Sequence, residues 1–293
     1  MAALLALVSA VCYGVSDFSG GLAARRVAAT AVVLVSNGLS LLLALLAVGL
    51  LPGSTFTAGD MAWGAAAGIV GLLGVVLLYR GLAIGPMSVV APLTAVLSAL
   101  VPVAVGTIRG ERPGTLAVVG VALAIPAMVL LGREPRRRPE PESGGRAHRG
   151  SAPLSRGAVV SALSAGIGFG GFFVLLAQTS AGGGAWPLVP QRAASVLILL
   201  AVSAATAVRA SPILPRGRTL ALAAIAGVTD FAANLAYVLA THHGLLALVA
   251  VISSLYPAST LLLARGVLGE RLARQQAGGL VVAAVAVALI ALH

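Results

Sequence analysis

One short sequence pattern occurs twice, and each residue of the second copy lies 159 positions after its counterpart in the first (85 to 244, 110 to 269, 120 to 279). Each copy has a Gly-Glu-Arg triplet between long apolar runs, with one glycine ahead of the triplet and another after it. The residues are Gly85, Gly110-Glu111-Arg112 and Gly120 in the first copy, and Gly244, Gly269-Glu270-Arg271 and Gly279 in the second. A gap-free repeat on this scale predicts a chain built from two structurally similar halves.

The composition places these halves in a lipid bilayer. Only 9% of the residues are charged and 59% are hydrophobic, and the mean hydropathy is +1.05, whereas a soluble domain carries about 25% charged residues. The net charge is +11, and all 19 basic residues are arginine. Because the arginines lie in short segments between apolar runs and form no continuous basic surface, nucleic acid is excluded as a partner.

Ten apolar segments are close to the length of about 20 residues that a transmembrane helix needs. They cover residues 2–22, 29–51, 61–83, 86–107, 113–132, 157–178, 187–208, 219–241, 244–265 and 274–292. A polar, charged linker at 133–156 separates a first five-helix repeat (1–132) from a second (157–293). Since five is an odd number, the second repeat inserts upside down relative to the first. The sequence therefore predicts an all-α integral membrane protein with ten transmembrane helices arranged as two inverted five-helix repeats.

The arginines also predict the orientation of the chain. The connections after helices one, three, five, seven and nine carry 16 arginines when Arg80, Arg265 and Arg274, at or near segment ends, are counted with them. The other side of the membrane has only Arg109 and Arg112, and Arg192 lies inside a segment. Arginine is enriched in cytoplasmic loops. We therefore expect the 133–156 linker in the cytoplasm, both termini outside, and the chain as a multi-pass protein of the cytoplasmic membrane.

The duplicated Gly-Glu pair and the five-plus-five pattern resemble the drug/metabolite transporter (DMT) superfamily, and most closely its EamA-type members. Pro257 fits the family's pattern in helix nine, and Arg192 resembles the arginine that the family has in helix two of each repeat. The first repeat departs from this pattern, since Asn37 lies near the corresponding place. The resemblance implies a secondary carrier that moves small metabolites, amino acids or drugs, often outward and often coupled to protons. Ten-helix relatives are usually described with cytoplasmic termini, which conflicts with the arginine count.

Asp230 is the strongest candidate for a substrate-binding or proton-coupling residue. It lies near the middle of the eighth apolar segment, where an ionisable group costs about 2.5–3.5 kcal/mol to insert. Asn234 and Tyr237 follow at helical spacing, so all three share one helix face with Gly227. We expect this face to line a central cavity between the two repeats. The alternative is a set of interhelical hydrogen bonds that only stabilises the bundle.

Asp17 is a second candidate, on a face of the first segment that also carries Tyr13 and Ser16. Its carboxylate is expected either to titrate during transport or to pair with Arg25 or Arg26 at the membrane interface.

Arg192 supplies the opposite charge. Its guanidinium offers five donors in a fixed fork, which suits a carboxylate. That carboxylate could belong to Asp230, to Asp17 or to a substrate, and substrate could then compete with an internal ion pair. The alternative is an arginine that extends to the lipid headgroups.

The other six acidic residues are interpreted as structural. Glu111 and Glu270 are expected to cap the helix that follows each of them, Asp60 to favour a helix start, and the rest to lie in the linker (Glu134, Glu140 and Glu142). His242 and His243 suit a helix end, and no metal site or cofactor is expected. The glycines at 166–171 predict close helix packing, not a nucleotide site.

These patterns favour a proton-coupled exporter of a small metabolite, acting as a monomer or homodimer. The alternatives are an uncoupled facilitator or membrane scaffold subunit, and a lipid-modifying enzyme. The enzyme is disfavoured because no nucleophile–base pair or paired-carboxylate motif occurs in the helices.

Overall fold

The computed structural model describes residues 1–50, 54–84, 87–132, 155–206, 215–269 and 273–292. Gly85, the Glu270-Arg271 pair, residues 133–154 of the linker with its three glutamates, and His293 lie outside the described residues. The described chain forms helices joined by turns, with no strand among them. The helices are α1 (Ala2–Ala24), α2 (Ala29–Leu50), α3 (Ala58–Ile84), α4 (Met87–Ile108), α5 (Thr115–Leu131), α6 (Arg156–Leu176), α7 (Leu188–Thr206), α8 (Arg218–Thr241), α9 (Leu246–Ser253), α10 (Tyr256–Leu268) and α11 (Arg274–Ala291).

The helices have the length and apolarity of membrane spans. Eight candidate spans occur in the described residues, with α9 and α10 together forming one of them, and Thr115–Leu131 and Leu188–Ala204 are two shorter apolar helices. In hydrocarbon the backbone must satisfy its own hydrogen bonds, which a helix does within a single segment. The prediction of an all-helical, multi-pass membrane protein is confirmed.

The predicted ninth segment, 244–265, is not one continuous helix. Helix α9 ends at Ser253, and the chain starts a new helix, α10, at Tyr256. Pro257 lies in the first turn of α10, where its missing N–H would be unpaired in any helix. In an unbroken helix its ring would collide with the carbonyl of Ser253, so the proline explains why the helix is interrupted here.

Contacts between the two halves follow a reciprocal pattern. Three contacts have an equivalent when the halves are exchanged. The contact of α1 with α8 corresponds to that of α6 with α3, and the contact of α2 with α8 to that of α7 with α3. The contact of α4 with α6 corresponds to that of α1 with α9 and α10. Helix α5 packs on α11, and α2 on α7. Each contact therefore has a counterpart in which the roles of the halves are exchanged.

Glycines allow the closest approaches between these helices. A Cβ on Gly14 of α1 would lie 2.9 Å from both the Tyr256 carbonyl oxygen and the Thr260 nitrogen of α10. The Thr260 hydroxyl donates to the Gly14 carbonyl at 3.3 Å. In α6, a Cβ on Gly168 would lie 2.9 Å from the Cα of Gly74 in α3. The glycine-rich run at 166–171 thus serves helix packing, as the sequence predicted.

The first Gly-Glu pair, Gly110-Glu111, forms a connection between the halves. Gly110 follows α4 with φ of +87°, and Gly269 follows α10 with φ of +68°, a left-handed conformation that glycine adopts at little cost. The turn carries Glu111 to the start of α9, where its carboxylate accepts the backbone N–H groups of Leu246 at 2.7 Å and Ala247 at 3.0 Å. The expectation that Glu111 caps the next helix, α5, is wrong: it caps a helix of the other repeat.

Candidate functional site

A cavity of about 540 Å³ lies between the two halves. Eight helices contribute to its wall, four from each half. Among the lining residues are five of the six predicted site residues: Tyr13, Asp17, Arg192, Asp230 and Asn234. The sixth, Tyr237, is not on the wall.

Arg192 and Asp230 form an ion pair in this cavity. The guanidinium Nη2 lies 2.5 Å from Asp230 Oδ2, with the two side chains 11% and 21% exposed. A second guanidinium nitrogen donates to Asn37 Oδ1 at 3.0 Å, and the Ser40 hydroxyl donates to Asp230 Oδ2 at 3.2 Å. The pair joins α7 to α8, and its two polar neighbours belong to α2. Of the partners that the sequence left open for Arg192, the structure selects Asp230.

Asn234 is the centre of a second hydrogen-bond network, one turn after Asp230. Its Oδ1 accepts the Tyr13 hydroxyl at 3.0 Å and Gln191 Nε2 at 3.0 Å. Its Nδ2 donates to the backbone carbonyl of Asp230 at 2.7 Å. Asn234 is therefore held from α1 and from α7, and its orientation is fixed beside the ion pair.

Tyr237 lies behind the cavity wall. Its side chain is fully buried, and its hydroxyl donates to the Phe173 carbonyl at 3.1 Å. The two rings are 4.7 Å apart, and Phe173 itself lines the cavity. The expectation that Tyr237 points into the cavity is corrected here: its side chain lies against Phe173 of α6 and supports that wall residue.

Asp17 differs from Asp230 in that its side chain has no hydrogen-bond or ion-pair partner among the described residues. It lines the cavity, more than a third of its surface is accessible, and no hydrogen bond or ion pair joins it to another described residue. The expected pairing with Arg25 or Arg26 is absent among the described ion pairs. Tyr256 and Asp230 are near enough to interact with it electrostatically.

Other polar residues of the cavity were not among the predicted site residues. Gln191, Asn37, Ser40, Ser98 and Ser195 contact the predicted groups or line the wall. For two of them the sequence contained a signal. Gln191 directly precedes Arg192, and Asn37 lies near the place in the first repeat that corresponds to Arg192. The three serines, isolated in apolar helices, gave no comparable signal.

The part of the wall that α3 and α6 provide is mostly apolar. Its residues are Gly68, Gly71, Leu72, Val75, Leu78, Phe169, Phe172 and Phe173. Gly71 leaves room for the Phe172 ring, since a Cβ there would lie 2.9 Å from it. The cavity therefore combines a charged wall on α1, α7 and α8 with an aromatic and aliphatic wall.

One end of the bundle is closed by hydrogen bonds between the halves. Asp60 accepts both the backbone N–H and the hydroxyl of Ser180, at 2.6 and 2.7 Å. Thr55 N donates to the Gly182 carbonyl at 2.8 Å, and the ring of Phe56 lies 5.2 Å from that of Trp186. We call this set, residues 55–60 with 180–186, the terminal-side latch, because it lies at the end of the bundle where α1 begins.

The latch has further links on the same end. Arg109 donates to Gln178 Oε1 at 2.8 Å, and Glu111 caps α9 as described above. The cavity extends toward the opposite end, where Gly21, Ala24, Ala29 and Leu78 line it. That end carries Arg25 and Arg26.

No group of three or more His, Cys, Asp or Glu side chains that could hold a metal occurs in the described part of the chain. The chemistry available in the cavity is ion pairing, hydrogen bonding and apolar contact. This set of interactions is suited to reversible binding.

The family model of the EamA-like transporter family matches residues 1–133 and 156–292. The chain belongs to the EamA-like transporter family. This confirms the resemblance to the DMT superfamily, whose EamA members are transporters and not enzymes. The protein is accordingly a multi-pass membrane transporter of the DMT type.

The fold is shared with a solved structure. A crystal structure described only as "Crystal structure of protein" superposes with a TM-score of 0.73 at 18% identity, over 99% of this chain and 96% of the other. At this identity the likeness concerns the fold alone. No curated protein matches the sequence.

Proposed function

We propose that this protein is a secondary active transporter that exports a small metabolite, amino acid or drug-like compound across the cytoplasmic membrane, coupled to protons. The observation that carries the proposal is the central cavity with three ionisable side chains, Asp17, Arg192 and Asp230. Ionisable groups inside membrane helices are costly and typically mark substrate or ion pathways.

Two inverted five-helix repeats, with ten spans in total, form the scaffold of this proposal. The reciprocal contacts support it: exchanging the halves maps the α1–α8 contact onto α6–α3 and the α2–α8 contact onto α7–α3. The odd number of spans per half favours an axis in the membrane plane. The site then lies between the repeats, where rocking of one against the other exposes it to either side.

The terminal-side latch supports alternating access. It joins the halves at one end, while the cavity extends to the other end, which is rich in arginine. By the positive-inside rule the arginine-rich end is cytoplasmic. The structure then corresponds to an inward-facing state, closed on the outside, and export requires the latch to separate.

Arg192 and Asp230 have a direct role in this scheme. In the ligand-free cavity each neutralises the other, so a substrate or a proton that engages one of them releases its partner. Protonation of Asp230 would free Arg192 for an anionic group, and a bound anion would free Asp230 to take a proton. Either order couples the charge of the site to its occupancy.

Reconstitution in liposomes with an imposed pH gradient tests the proposal. A panel of metabolites, amino acids and drug-like compounds is screened for accumulation that depends on the gradient. We expect Asp230→Asn, which preserves the hydrogen-bonding shape, to lose gradient-driven accumulation while still exchanging substrate at equilibrium. Glu142→Gln, in the linker, removes the same formal charge and serves as the control.

Two results would contradict the proposal. Unchanged pH-dependent accumulation in Asp230→Asn would reject the role of that residue. Transport that ignores the gradient in the unmodified protein would indicate an uncoupled facilitator.

A further inference from the structure

We infer that four arginines, contributed by the two halves, bind the phosphate headgroup of an acidic phospholipid. We call these residues, Arg25, Arg26, Arg216 and Arg218, the arginine cluster. The cluster lies outside the central cavity, at the end of the bundle opposite the terminal-side latch. The inference goes beyond the proposed transport function, since lipid binding requires neither a substrate nor a gradient.

The direction of two helices brings the cluster together. Helices α1 and α8 run in opposite directions. The Tyr13 hydroxyl donates to Asn234 Oδ1, whereas further along α1 a Cβ on Gly20 would lie 3.7 Å from the Cβ of Ala226, which is closer to the start of α8. The end of α1 therefore lies beside the start of α8, and these are the segments that carry the arginines.

A small buried cluster joins the same segments. Ala23 at the end of α1, Val32 in α2 and Ala223 in α8 pack together in the interior. Along the helices, Arg25 lies about 3 Å beyond this contact and Arg218 about 8 Å beyond it. The other two members of the arginine cluster are close neighbours of these in the sequence. The two pairs therefore reach nearly the same level of the bundle.

The arginine cluster has no counterion in the part of the chain that the structure describes. Its four side chains are exposed, and none of them has an ion-pair or hydrogen-bond partner among the described residues. Asp60 and Glu111 lie at the other end of the bundle, and Asp230 belongs to the ion pair of the cavity. Asp17 precedes Arg25 by about 12 Å along α1. The linker carries more arginine than glutamate, which makes it a poor counterion.

A phosphate matches this cluster chemically. Each guanidinium presents donors in a planar fork that suits two phosphate oxygens at once. Helix α8 begins at Arg218, and its N-cap residue Gly217 has no side chain to cap it, so the positive end of the helix dipole adds to the charge of the arginines. Because the two pairs belong to different halves, a headgroup held by both links the halves at this end.

The surface beside the arginines favours a lipid over a free phosphate. The candidate membrane span of α8 begins at Arg218, which places the cluster at the level of the headgroups. Below it, α8 exposes Leu220, Ile225 and Val228, with 43%, 45% and 46% of their surface accessible. Acyl chains cover such apolar surface, whereas a soluble phosphate leaves it uncovered. The ligand is therefore an acidic phospholipid.

Native mass spectrometry of the full-length protein in detergent tests the site without any transport. The probes are dioleoylphosphatidylglycerol, which has an acidic headgroup, and dioleoylphosphatidylcholine, which has the same acyl chains and a zwitterionic headgroup. We expect the first bound molecule of the acidic lipid to have an affinity about tenfold or more above that of the zwitterionic lipid. Equal affinities of the two lipids would overturn the inference.

A soluble phosphate separates the two sources of the headgroup chemistry. Glycerol phosphate carries the phosphate without acyl chains. We expect it not to displace the acidic lipid at equal concentration, since it cannot cover the apolar surface of α8. Displacement at equal concentration would mean that the arginines bind phosphate from solution, and would overturn the assignment to a lipid.

Variants locate the binding. We expect Arg25→Gln/Arg26→Gln and Arg216→Gln/Arg218→Gln each to weaken the acidic lipid by about fivefold or more, and to leave the affinity for the zwitterionic lipid within about twofold. The four side chains are exposed, so glutamine should not disturb folding, which size-exclusion chromatography checks. Unchanged selectivity in both double variants would overturn the inference.

The matched control removes the same charge at the same end of the bundle. Arg80 in α3 and Arg265 in the last turn of α10 are exposed and lie outside the arginine cluster. We expect Arg80→Gln/Arg265→Gln to keep the affinity for the acidic lipid within about twofold. An equal loss in this control would show that the lipid responds to total charge and not to the cluster, which would also overturn the inference.

The lipid site and the transport function fail separately. Gradient-driven transport in liposomes by a protein that does not select the acidic lipid would remove the site and keep the transporter. Selective lipid binding that depends on the cluster, without transport of any compound, would keep the site and remove the transport function.

Discussion

At the scale of single residues, the two membrane carboxylates have different environments. Asp230 is satisfied by Arg192 and Ser40, whereas Asp17 lines the cavity and has no side-chain partner in the part of the chain that the structure describes. The sequence singled out both residues, because an acidic group inside an apolar segment is conspicuous. It ranked Asp230 first from its central position, but the contacts that distinguish the two come from α2 and α7 and are not encoded in local spacing.

Removing one charge of the Arg192–Asp230 pair should lower the stability of the protein more than removing both charges. A single substitution leaves an uncompensated charge in a mostly buried site, which costs up to about 3–5 kcal/mol when burial is complete and less at this partial exposure. We expect Arg192→Gln and Asp230→Asn each to lower the melting temperature, and the double variant to recover part of the loss. Thermal unfolding of the four proteins in detergent gives the coupling energy. Additive losses would show that the two groups do not interact.

At the scale of helices and turns, the apolar runs predicted where the apolar helices lie, because length and hydropathy are sufficient to identify a helix in a bilayer. In the ninth apolar segment the sequence predicted that Pro257 breaks or kinks the helix, and left open which of the two occurs. Pro257 signalled a disturbance, but whether a helix kinks or restarts depends on what packs against it, here Gly14 of α1. For the same reason, the partner of Glu111 lay in the other half of the chain and could not be read from its own turn.

Cross-linking the terminal-side latch tests whether the protein works by alternating access. Thr55 N and Gly182 O are 2.8 Å apart, so cysteines at 55 and 182 are close enough for a disulfide to form. In a Cys12→Ser background, we expect oxidation of Thr55→Cys/Gly182→Cys to stop transport and reduction to restore it. The single variants, oxidised in the same way, are the controls. Full transport by the cross-linked protein would mean that the latch does not open during the cycle.

At the scale of the whole molecule, the latch lies at one end of the bundle and the cavity extends to the other. The orientation of the chain therefore decides which transport state the structure represents. With both termini outside, the latch is external and the cavity opens to the cytoplasm. With both termini in the cytoplasm, as usually described for ten-helix relatives, the same structure faces outward. The contacts between the helices are the same in either orientation.

Topology reporters resolve this choice. We expect a reporter inserted in the 137–150 segment to read cytoplasmic and a reporter fused after residue 293 to read external. The reason is the asymmetry of the arginines, 16 in the connections on one side and only Arg109 and Arg112 on the other, since translocating arginine-rich loops is unfavourable. The matched control weakens the arginine asymmetry. Substituting Arg136, Arg137 and Arg138 with glutamine should reduce the fraction of chains with a cytoplasmic linker. A cytoplasmic C-terminus in the unmodified chain would show that the family's usual orientation prevails, and the latch would then be the inner gate.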